Sequence, residues 1–411
     1  MRQRSAIEAA GHKFRTKNIS KRVQRIVISP IKEMSILADL EVEKPGPKII
    51  SFGQGIPYFD TPAFIKAAIR KSLEDPDTAK YTLEPGITEL RILIAKHLEK
   101  TKGIRNIQAK KEIMVSAGCQ EAIDCALASV IDPGDHVLLP EPAFASHIEQ
   151  VLQWGGKPIF VPLKEKLGWQ LDLKQCEKKI TKKTEAILFS NPSNPTGAVF
   201  GKKEIVGLAK FAKKHDIIII TDETYDFLVY DGVRHFSPAS ISGVRDRVIL
   251  CGSFSKKFAM TGYRVGFAFA DQGIIDHMLK VHDALMICGP AISQRGAIAA
   301  LKGPQTSVQE FVKKLAENRQ IMCQELDKLS DYFQYQKPMG AYYIMVKYKK
   351  FKMDSFRLAL MILKEARLIT IPGAAFGPSG EGYLRFSFAG LPKEIKEGFK
   401  RLSSWAKSII R

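Results

Sequence analysis

The sequence predicts an α/β fold, with a large doubly wound domain on a mostly parallel sheet and a smaller α+β domain. Between about Lys111 and Phe269, short β-type runs alternate with helical patterns. Several of these runs are apolar on both faces, such as the four isoleucines at 217–220, which is typical of central strands covered by helices on both sides. After about Ser307 the pattern changes, which indicates the second domain.

The alternating region supplies the predicted elements of the large domain. In chain order they are strand 112–116, helix 120–131, strand 136–139, helix 145–154, strand 158–162, helix 173–180, strand 185–190, helix 202–215 and strands 217–221, 247–252 and 265–269. Ligands of doubly wound sheets bind beyond the carboxyl ends of the strands. The residues that follow each strand are therefore the candidates for a functional site.

The remainder of the chain predicts the smaller domain. Its elements are a long helix at 308–329, β-type runs at 332–335 and 341–346, a helix at 355–366 and a strand at 383–388. We therefore divide the chain into a basic N-terminal arm at 1–25, a segment at 26–60 that packs with the small domain, the large domain at 61–306 and the small domain at 307–411.

Composition excludes several classes of protein. The six cysteines of the 411 residues form no CxxC pair and no metal-ligand spacing, so we expect a reducing compartment, no disulfide framework and no metal. No run of about 18 apolar residues predicts a membrane span, and no apolar region follows Met1 as in a secretory signal, so the expected location is the cytoplasm.

Charge is the most unusual feature of the composition. The formal net charge is +20, but lysine and arginine are spread along the chain, which favours a generally basic surface over a nucleic-acid or other polyanion partner. The first 25 residues are the densest basic patch. An arm, a nucleic-acid contact and a transit-like segment all remain open for that patch.

Two strand ends predict sites for anionic and polar groups. Strand 112–116 is followed by Gly118 and Cys119 at a helix start, where glycine and free backbone N–H groups can cradle a phosphate. Strand 185–190 is followed by 191–197, whose two X-Pro steps make a rigid loop that can direct the Asn194 amide into a site. Simple strand-to-helix turns without a ligand are the alternatives.

The next strand ends carry charged groups. Asp222 ends an apolar strand, with Tyr225 three residues on, and a buried carboxylate there is either a counter-ion for a cationic ring or a helix N-cap. After strand 247–252, two serine hydroxyls and a guanidinium suit a phosphate dianion, and the lysine among them suits a Schiff base with an aldehyde. These four residues are Ser253, Ser255, Lys256 and Arg264.

Together these motifs carry a family resemblance. Ser253-Phe254-Ser255-Lys256 with Arg264, the 191–197 loop and Asp222-Glu223-Thr224-Tyr225 resemble the class I/II aminotransferases among the fold-type I enzymes that use pyridoxal 5′-phosphate (PLP). The match runs in order from about Ile26 to the C-terminus. It implies PLP as cofactor and a seven-stranded, mostly parallel sheet in the large domain.

The resemblance implies a role for each motif. Lys256 would hold PLP covalently and move the substrate Cα proton, and Asp222 would keep the pyridine nitrogen protonated. Tyr225 and Asn194 would bond the phenolic oxygen of the ring. The phosphate would be bound by Gly118, Cys119, Ser253, Ser255 and Arg264.

Further residues match family positions outside these motifs. Phe144 stands where the family stacks an aromatic ring on the cofactor, and Arg385 where an arginine grips the substrate α-carboxylate. Gly55 matches a backbone contact to the substrate. Asn194 would also contact the substrate. Tyr81 matches a tyrosine that reaches the phosphate of a neighbouring subunit, which implies a homodimer with shared active sites.

The predicted function is amino transfer from an L-amino acid to a 2-oxo acid such as 2-oxoglutarate by a ping-pong mechanism. Cys119 replaces a lysine that holds the distal carboxylate in some bacterial aspartate aminotransferases, so aspartate, aromatic and broad donor specificities stay open. A PLP-dependent C–S lyase or synthase is the alternative. A PLP-binding transcription regulator is not expected, because only about 25 residues precede the matched region.

Overall fold

The computed structural model describes residues 19–26 and 29–409. Most of the predicted basic arm at 1–25 therefore lies outside the described residues. The helices are α1 (Pro30–Val42), α2 (Ala63–Ser72), α3 (Thr88–Lys102), α4 (Cys119–Val130), α5 (Ala145–Gln153), α6 (Leu173–Lys179), α7 (Lys202–His215), α8 (Gln272–Met286), α9 (Ala291–Lys302), α10 (Thr306–Asp327), α11 (Ser355–Ala366) and α12 (Pro392–Ile409). The strands are β1 (Ile50–Ser51), β2 (Ile113–Ser116), β3 (His136–Glu141), β4 (Lys157–Pro162), β5 (Thr184–Ser190), β6 (Ile218–Asp222), β7 (Val248–Ser253), β8 (Gly266–Phe269), β9 (Phe333–Tyr335), β10 (Tyr343–Tyr348), β11 (Leu368–Ile369), β12 (Ile371–Pro372) and β13 (Tyr383–Ser387).

The large sheet has seven strands in the order β2-β8-β7-β6-β5-β3-β4. Strand β8 runs antiparallel to β2 and β7, and the other pairings are parallel. The prediction of a doubly wound, mostly parallel sheet is confirmed. Because parallel strands end at the same edge, the segments after β2, β3, β5, β6 and β7 converge there.

Helices cover both faces of this sheet. Ile219 packs on the face that carries α7, whereas its neighbour Ile220 packs with α4, α5 and α8 on the other face. Successive side chains of a strand point to opposite faces of the sheet, so a continuous apolar run buries the strand on both sides. The isoleucine run is therefore central in the fold, as its composition predicts.

The smaller sheet is antiparallel, with the order β12-β13-β10-β9, and α10 leads into it from the large sheet. The N-terminal segment packs against the same region, since β1 pairs with β11 and the Arg367 guanidinium donates to the carbonyls of Glu41 and Pro47 at 2.7 and 3.1 Å. We propose from these contacts that 61–306 is the large domain and that 26–60 belongs with the small domain at 307–411.

Some predicted element bounds need correction. The strand expected at 341–346 is β10 (Tyr343–Tyr348), because Ala341 has a φ of 53° and left-handed backbone cannot extend a strand. The helix expected at 120–131 begins one residue earlier, with Gly118 as its N-cap. Helix α12 (Pro392–Ile409) was not predicted, although its buried residues Ile395, Phe399 and Leu402 recur at helical spacing.

Within the described ranges, none of the helices combines the length and the apolar character needed to cross a membrane.

Candidate active site

A cavity of about 620 Å³ lies beyond the carboxyl ends of the large sheet, where β10 and β13 of the small sheet approach it. Most of the residues that the sequence predicts for the site line this cavity: Gly55, Cys119, Phe144, Asn194, Asp222, Tyr225, Ser253, Ser255, Lys256, Arg264 and Arg385. Gly118 lies against Arg264 beside it. Tyr81 does not line the cavity, and 76% of its surface is exposed.

One end of the cavity is built for an anion. Gly118, the N-cap of α4, has a φ of 90°, and a Cβ added there would lie 2.5 Å from Nη2 of Arg264. The Arg264 guanidinium donates to the carbonyls of Ala117 and Thr261, each at 3.0 Å. The Ser253 hydroxyl accepts the backbone N–H of residue 255 at 3.1 Å. A helix N-terminus, hydroxyls and a guanidinium at one place suit a phosphate.

A buried carboxylate lies deeper in the cavity. Oδ1 of Asp222 accepts the backbone N–H of Thr224 at 3.0 Å and the thiol of Cys119 at 3.3 Å, and Oδ2 lies 3.4 Å from Nε2 of His147. Burial alone would raise the pKa of Asp222, but His147 and Thr224 outweigh burial and hold the pKa below its usual value. The carboxylate is therefore ionised and can hold a cationic partner in the cavity.

The lysine after β7 is also buried. The amine of Lys256 donates to the carbonyl of Gly55 at 2.6 Å. Burial, then the positive charge of Arg264, lower the pKa of Lys256 to about 8, while the charge of Asp222 acts in the opposite direction. Such an amine exchanges protons close to neutral pH and can act as a nucleophile there.

Arg385, on β13, is buried and held from two sides. Its Nη1 donates to Oδ1 of Asn194 at 3.0 Å, and its Nη2 donates to the carbonyl of Gly53 at 2.6 Å. The guanidinium carbon lies 4.5 Å from the ring centre of Tyr343, and Nε has no hydrogen-bond partner. A buried, oriented guanidinium in the lining of a cavity is suited to a carboxylate.

Sequence reasoning missed three polar side chains around the site. The hydroxyls of Tyr343 and Tyr225 are 2.8 Å apart, and the hydroxyl of Tyr342 donates to the carbonyl of Gly55 at 2.7 Å. His147 is the third. A pair of tyrosines in the otherwise apolar run at 341–346 was the available indication, because a buried hydroxyl needs a partner.

These residues fit pyridoxal phosphate. The anion site suits its phosphate, the ionised Asp222 suits its protonated ring nitrogen, and the amine of Lys256 suits its aldehyde. Phe144 contributes an aromatic ring to the same cavity, edge-on to His147 at 5.3 Å between ring centres. The arginine that can take a carboxylate is separate from the one at the phosphate end, so cofactor and substrate have distinct charged groups.

Comparison with known proteins gives the family. Residues 47–402 match the model of aminotransferase class I and II. The chain is 36% identical over 361 residues to aromatic-amino-acid aminotransferase 2 of Thermococcus litoralis, with 87% of this chain and 92% of the relative covered. It is 38% identical over 358 residues to an aspartate aminotransferase of Pyrococcus abyssi, with 86% and 90% covered.

A solved aromatic aminotransferase from Pyrococcus horikoshii superposes with a TM-score of 0.85 at 36% identity, covering 91% of this chain and 99% of that one. The relatives do not favour the C–S lyase, the synthase or the regulator. The chain therefore belongs to the aminotransferase class I and II family, and it is a PLP-dependent enzyme that moves amino groups between amino acids and 2-oxo acids.

Proposed function

We propose that the enzyme takes its amino group from aspartate, aromatic or a broad set of L-amino acids and passes it to a 2-oxo acid such as 2-oxoglutarate. The observation that carries this proposal is the buried guanidinium of Arg385, which lines the cavity and is held in one orientation by Asn194 and the carbonyl of Gly53. All these substrates share an α-carboxylate, and a two-pronged guanidinium is the group that binds it in a defined orientation.

Lys256 is the proposed proton carrier. When bound, the cofactor supplies an electron sink for the negative charge that develops at the substrate Cα. The amine of Lys256 would take the Cα proton as a general base and, as the ammonium, pass that proton to the bound cofactor. In the half-reaction with the 2-oxo acid, the same group would return a proton to Cα, and a pKa near neutrality favours transfer in both directions. Arg385 holds the α-carboxylate meanwhile, so that the Cα–H bond keeps its orientation toward the amine.

The other predicted residues hold the cofactor. With the cofactor bound, Asp222 would keep a proton on the ring nitrogen, Tyr225 and Asn194 would donate to the phenolic oxygen, and Phe144 would stack on the ring. The phosphate is held by the backbone at Gly118 and Cys119, by Ser253 and Ser255, and by Arg264. The presence of the anion site and of Asp222 in the lining of one cavity supports this assignment.

Donor choice depends on the charge and the chemical character of the cavity lining. Burial, then the charge of Asp222, raise the pKa of Cys119 well above its usual value, so its thiol is neutral and provides no charge for a distal carboxylate. Phe144, Tyr225 and Tyr343 give the lining an aromatic character. The relatives named above include both an aromatic and an aspartate aminotransferase, which supports a donor range that spans the two groups.

A half-reaction titration tests this function. The purified enzyme with PLP is mixed with one amino acid at a time and no acceptor. We expect the visible band of the lysine-bound cofactor to disappear while pyridoxamine phosphate and keto acid appear in equal amounts, and the rates rank the donors. Release of ammonia without pyridoxamine phosphate would contradict transamination by this site.

We also propose a homodimer in which Tyr81 completes the neighbouring active site. Tyr81, Leu83 and Ile287 are exposed by 76%, 64% and 42%, and Gln294 joins their segments by hydrogen bonds to Thr82 and to the carbonyl of Gly289. Mixing an inactive Lys256→Ala protein with an inactive Tyr81→Ala protein should restore activity in hybrid dimers. Absence of restored activity in verified hybrids would contradict a shared site.

The proposed location is the cytoplasm. All six cysteines are buried and free of disulfide bonds, which is compatible with a reducing compartment.

A further inference from the structure

A buried group of charges lies directly behind the active site. Nζ of Lys102 is 2.8 Å from Oε2 of Glu223 and 2.5 Å from Oδ2 of Asp226. The exposed fractions of the three side chains are 3%, 1% and 17%. We call these three residues the Lys102 cluster. Lys102 is the last residue of α3, so it reaches the cluster from an element that contributes nothing to the cavity lining.

The two acids of the cluster alternate with two residues of the active site. Asp222 and Tyr225 line the cavity, whereas Glu223 and Asp226, each one residue later, contact Lys102. The backbone of this segment turns tightly, since the N–H of Asp226 bonds the carbonyl of Glu223 at 3.1 Å. The position of Lys102 therefore bears on where both cavity-lining side chains lie.

The segment that carries the cofactor lysine has a similar arrangement. Lys257, the neighbour of Lys256, is buried with its Nζ 3.2 Å from Nε2 of His97. Burial and the charge of Lys257 lower the pKa of His97 to about 4, so the ring is neutral and accepts from this lysine. Burial lowers the pKa of Lys257, and the charge of Asp226 acts in the opposite direction. The charges of the two segments therefore interact with each other.

Stability alone does not explain such a cluster. Removing charges from water costs free energy that ion pairing recovers only in part, and apolar replacements of similar volume are often as stable. The hydrogen-bonded ion pairs of this cluster also fix the directions of its three charged side chains. Glu223 is held further, because its Oε1 accepts the hydroxyl of Ser237 at 2.6 Å.

We propose that Lys102 is a positioning residue for transamination: its ion pairs with Glu223 and Asp226 hold the 222–226 segment so that Asp222 and Tyr225 keep their places in the cavity. The inference rests on the proposed roles of those two residues. Lys102 does not line the cavity and acts through its two partners.

The test compares Lys102→Met with Arg245→Met. Arg245 forms a partly buried pair with Glu112 at 2.7 Å, at the opposite end of the sheet from the site, and is the matched control. In Lys102→Met we expect kcat to fall and the PLP dissociation constant to rise, each about 10- to 100-fold, because small displacements of reacting groups are costly. KM for the amino donor should change little, because Arg385 is untouched. Arg245→Met should lose thermal stability without either change.

Two further variants keep the inference testable if Lys102→Met folds poorly. Lys102→Arg retains the charge and should restore kcat and PLP affinity at least in part. In Lys102→Met the carboxylate of Asp226 loses its partner, and adding Asp226→Asn removes this unpaired charge. The effects of the two substitutions on kcat should therefore be non-additive in a double-mutant cycle. Unchanged kcat and PLP affinity in Lys102→Met, or losses equal to those of Arg245→Met, would overturn the inference. Failure of the proposed function is a separate result, since it would appear as release of ammonia without pyridoxamine phosphate in the unaltered enzyme. Failure of the role proposed for Asp222 would appear as full transamination activity in Asp222→Asn.

Discussion

The amine nitrogen of Lys256 and the carbonyl oxygen of Gly55 lie 2.6 Å apart, although 201 positions separate them in the chain. The same carbonyl accepts the hydroxyl of Tyr342, and a Cβ added at Gly55 would lie 2.5 Å from the hydroxyl oxygen of Tyr343. The N-terminal segment thus closes on the lysine from one side, and the small sheet supports that contact. Lys256 lies where the three parts of the chain meet.

Replacing Lys256 by alanine should remove the covalent attachment of PLP. The expected result is loss of the visible band and of any cofactor adduct after borohydride reduction, measured by absorbance and intact mass. The steady-state rate should fall by at least about 10²- to 10⁴-fold, the usual contribution of a positioned acid–base group. Lys280→Ala, at an exposed helix position, is the control. A reducible adduct that persisted in Lys256→Ala would place the attachment on another lysine.

The reactivity of Lys256 should titrate with a midpoint near pH 8 instead of 10.5. Only the neutral amine attacks an aldehyde, so the capture rate of PLP by cofactor-free protein should rise with pH and level off above that midpoint. Stopped-flow absorbance measures this rate. The lowered pKa means that the charged amine of Lys256 is less stable in the folded protein than in the unfolded chain. This destabilisation of the fold is complete below about pH 8, where the amine is charged in both states, and it decreases to zero as the pH rises toward 10.5.

A charge variant checks the sign of this pH dependence. The carboxylate of Asp222 raises the pKa of Lys256, so Asp222→Asn should move the midpoint to lower pH. A midpoint near 10.5 in the unaltered protein would show that the amine is not buried as described.

Replacing Arg385 by lysine should weaken all amino donors by a similar factor. Lysine keeps the charge but lacks the two-pronged geometry with which the guanidinium donates separately to Asn194 and Gly53. We expect kcat/KM to fall by a factor that corresponds to a loss of about 2–5 kcal/mol of transition-state stabilisation, the range for disrupting a buried charged contact. Kinetics with aspartate, an aromatic amino acid and alanine provide the measurement. A loss confined to one donor would assign Arg385 to the substrate side chain.

Replacing Gly118 by alanine should weaken PLP binding, because both its φ of 90° and the contact with Arg264 exclude a side chain. Gly134→Ala is the matched control, since Gly134 has a φ of 103° but no atom within 4 Å of an added Cβ. Both variants should lose about 1–3 kcal/mol of stability through backbone strain. Only Gly118→Ala should also raise the PLP dissociation constant, and equal constants in the two variants would contradict the anion site.

Local patterns in the sequence were sufficient for the large sheet and for its strand ends. Strand β6 is predicted by four isoleucines. Asp222 could be recognised as a candidate site residue, because a carboxylate at the end of an apolar run is unusual whatever the fold. Helix α7 (Lys202–His215) and helix α11 (Ser355–Ala366) have the predicted bounds. Such features depend on residues a few positions apart, so a period of two or 3.6 reveals them.

Contacts between distant segments could not be predicted in this way. The pairing of Tyr225 with Tyr343 spans 118 positions, and it exists because the small sheet packs over the carboxyl ends of the large one. No periodicity indicates that the lysine at the end of α3 meets Glu223 and Asp226, since a lysine at a helix end usually faces solvent.

The sequence by itself therefore determined the fold class, the family and the polar residues at the strand ends, because each is carried by neighbouring residues and their order. The tertiary structure decided which side chains support them: His147 against Asp222, Tyr342 on the carbonyl of Gly55, and Lys102 beneath the 222–226 segment. The physical reason is that a buried polar group must find its partner wherever packing brings one, and packing is a property of the whole chain.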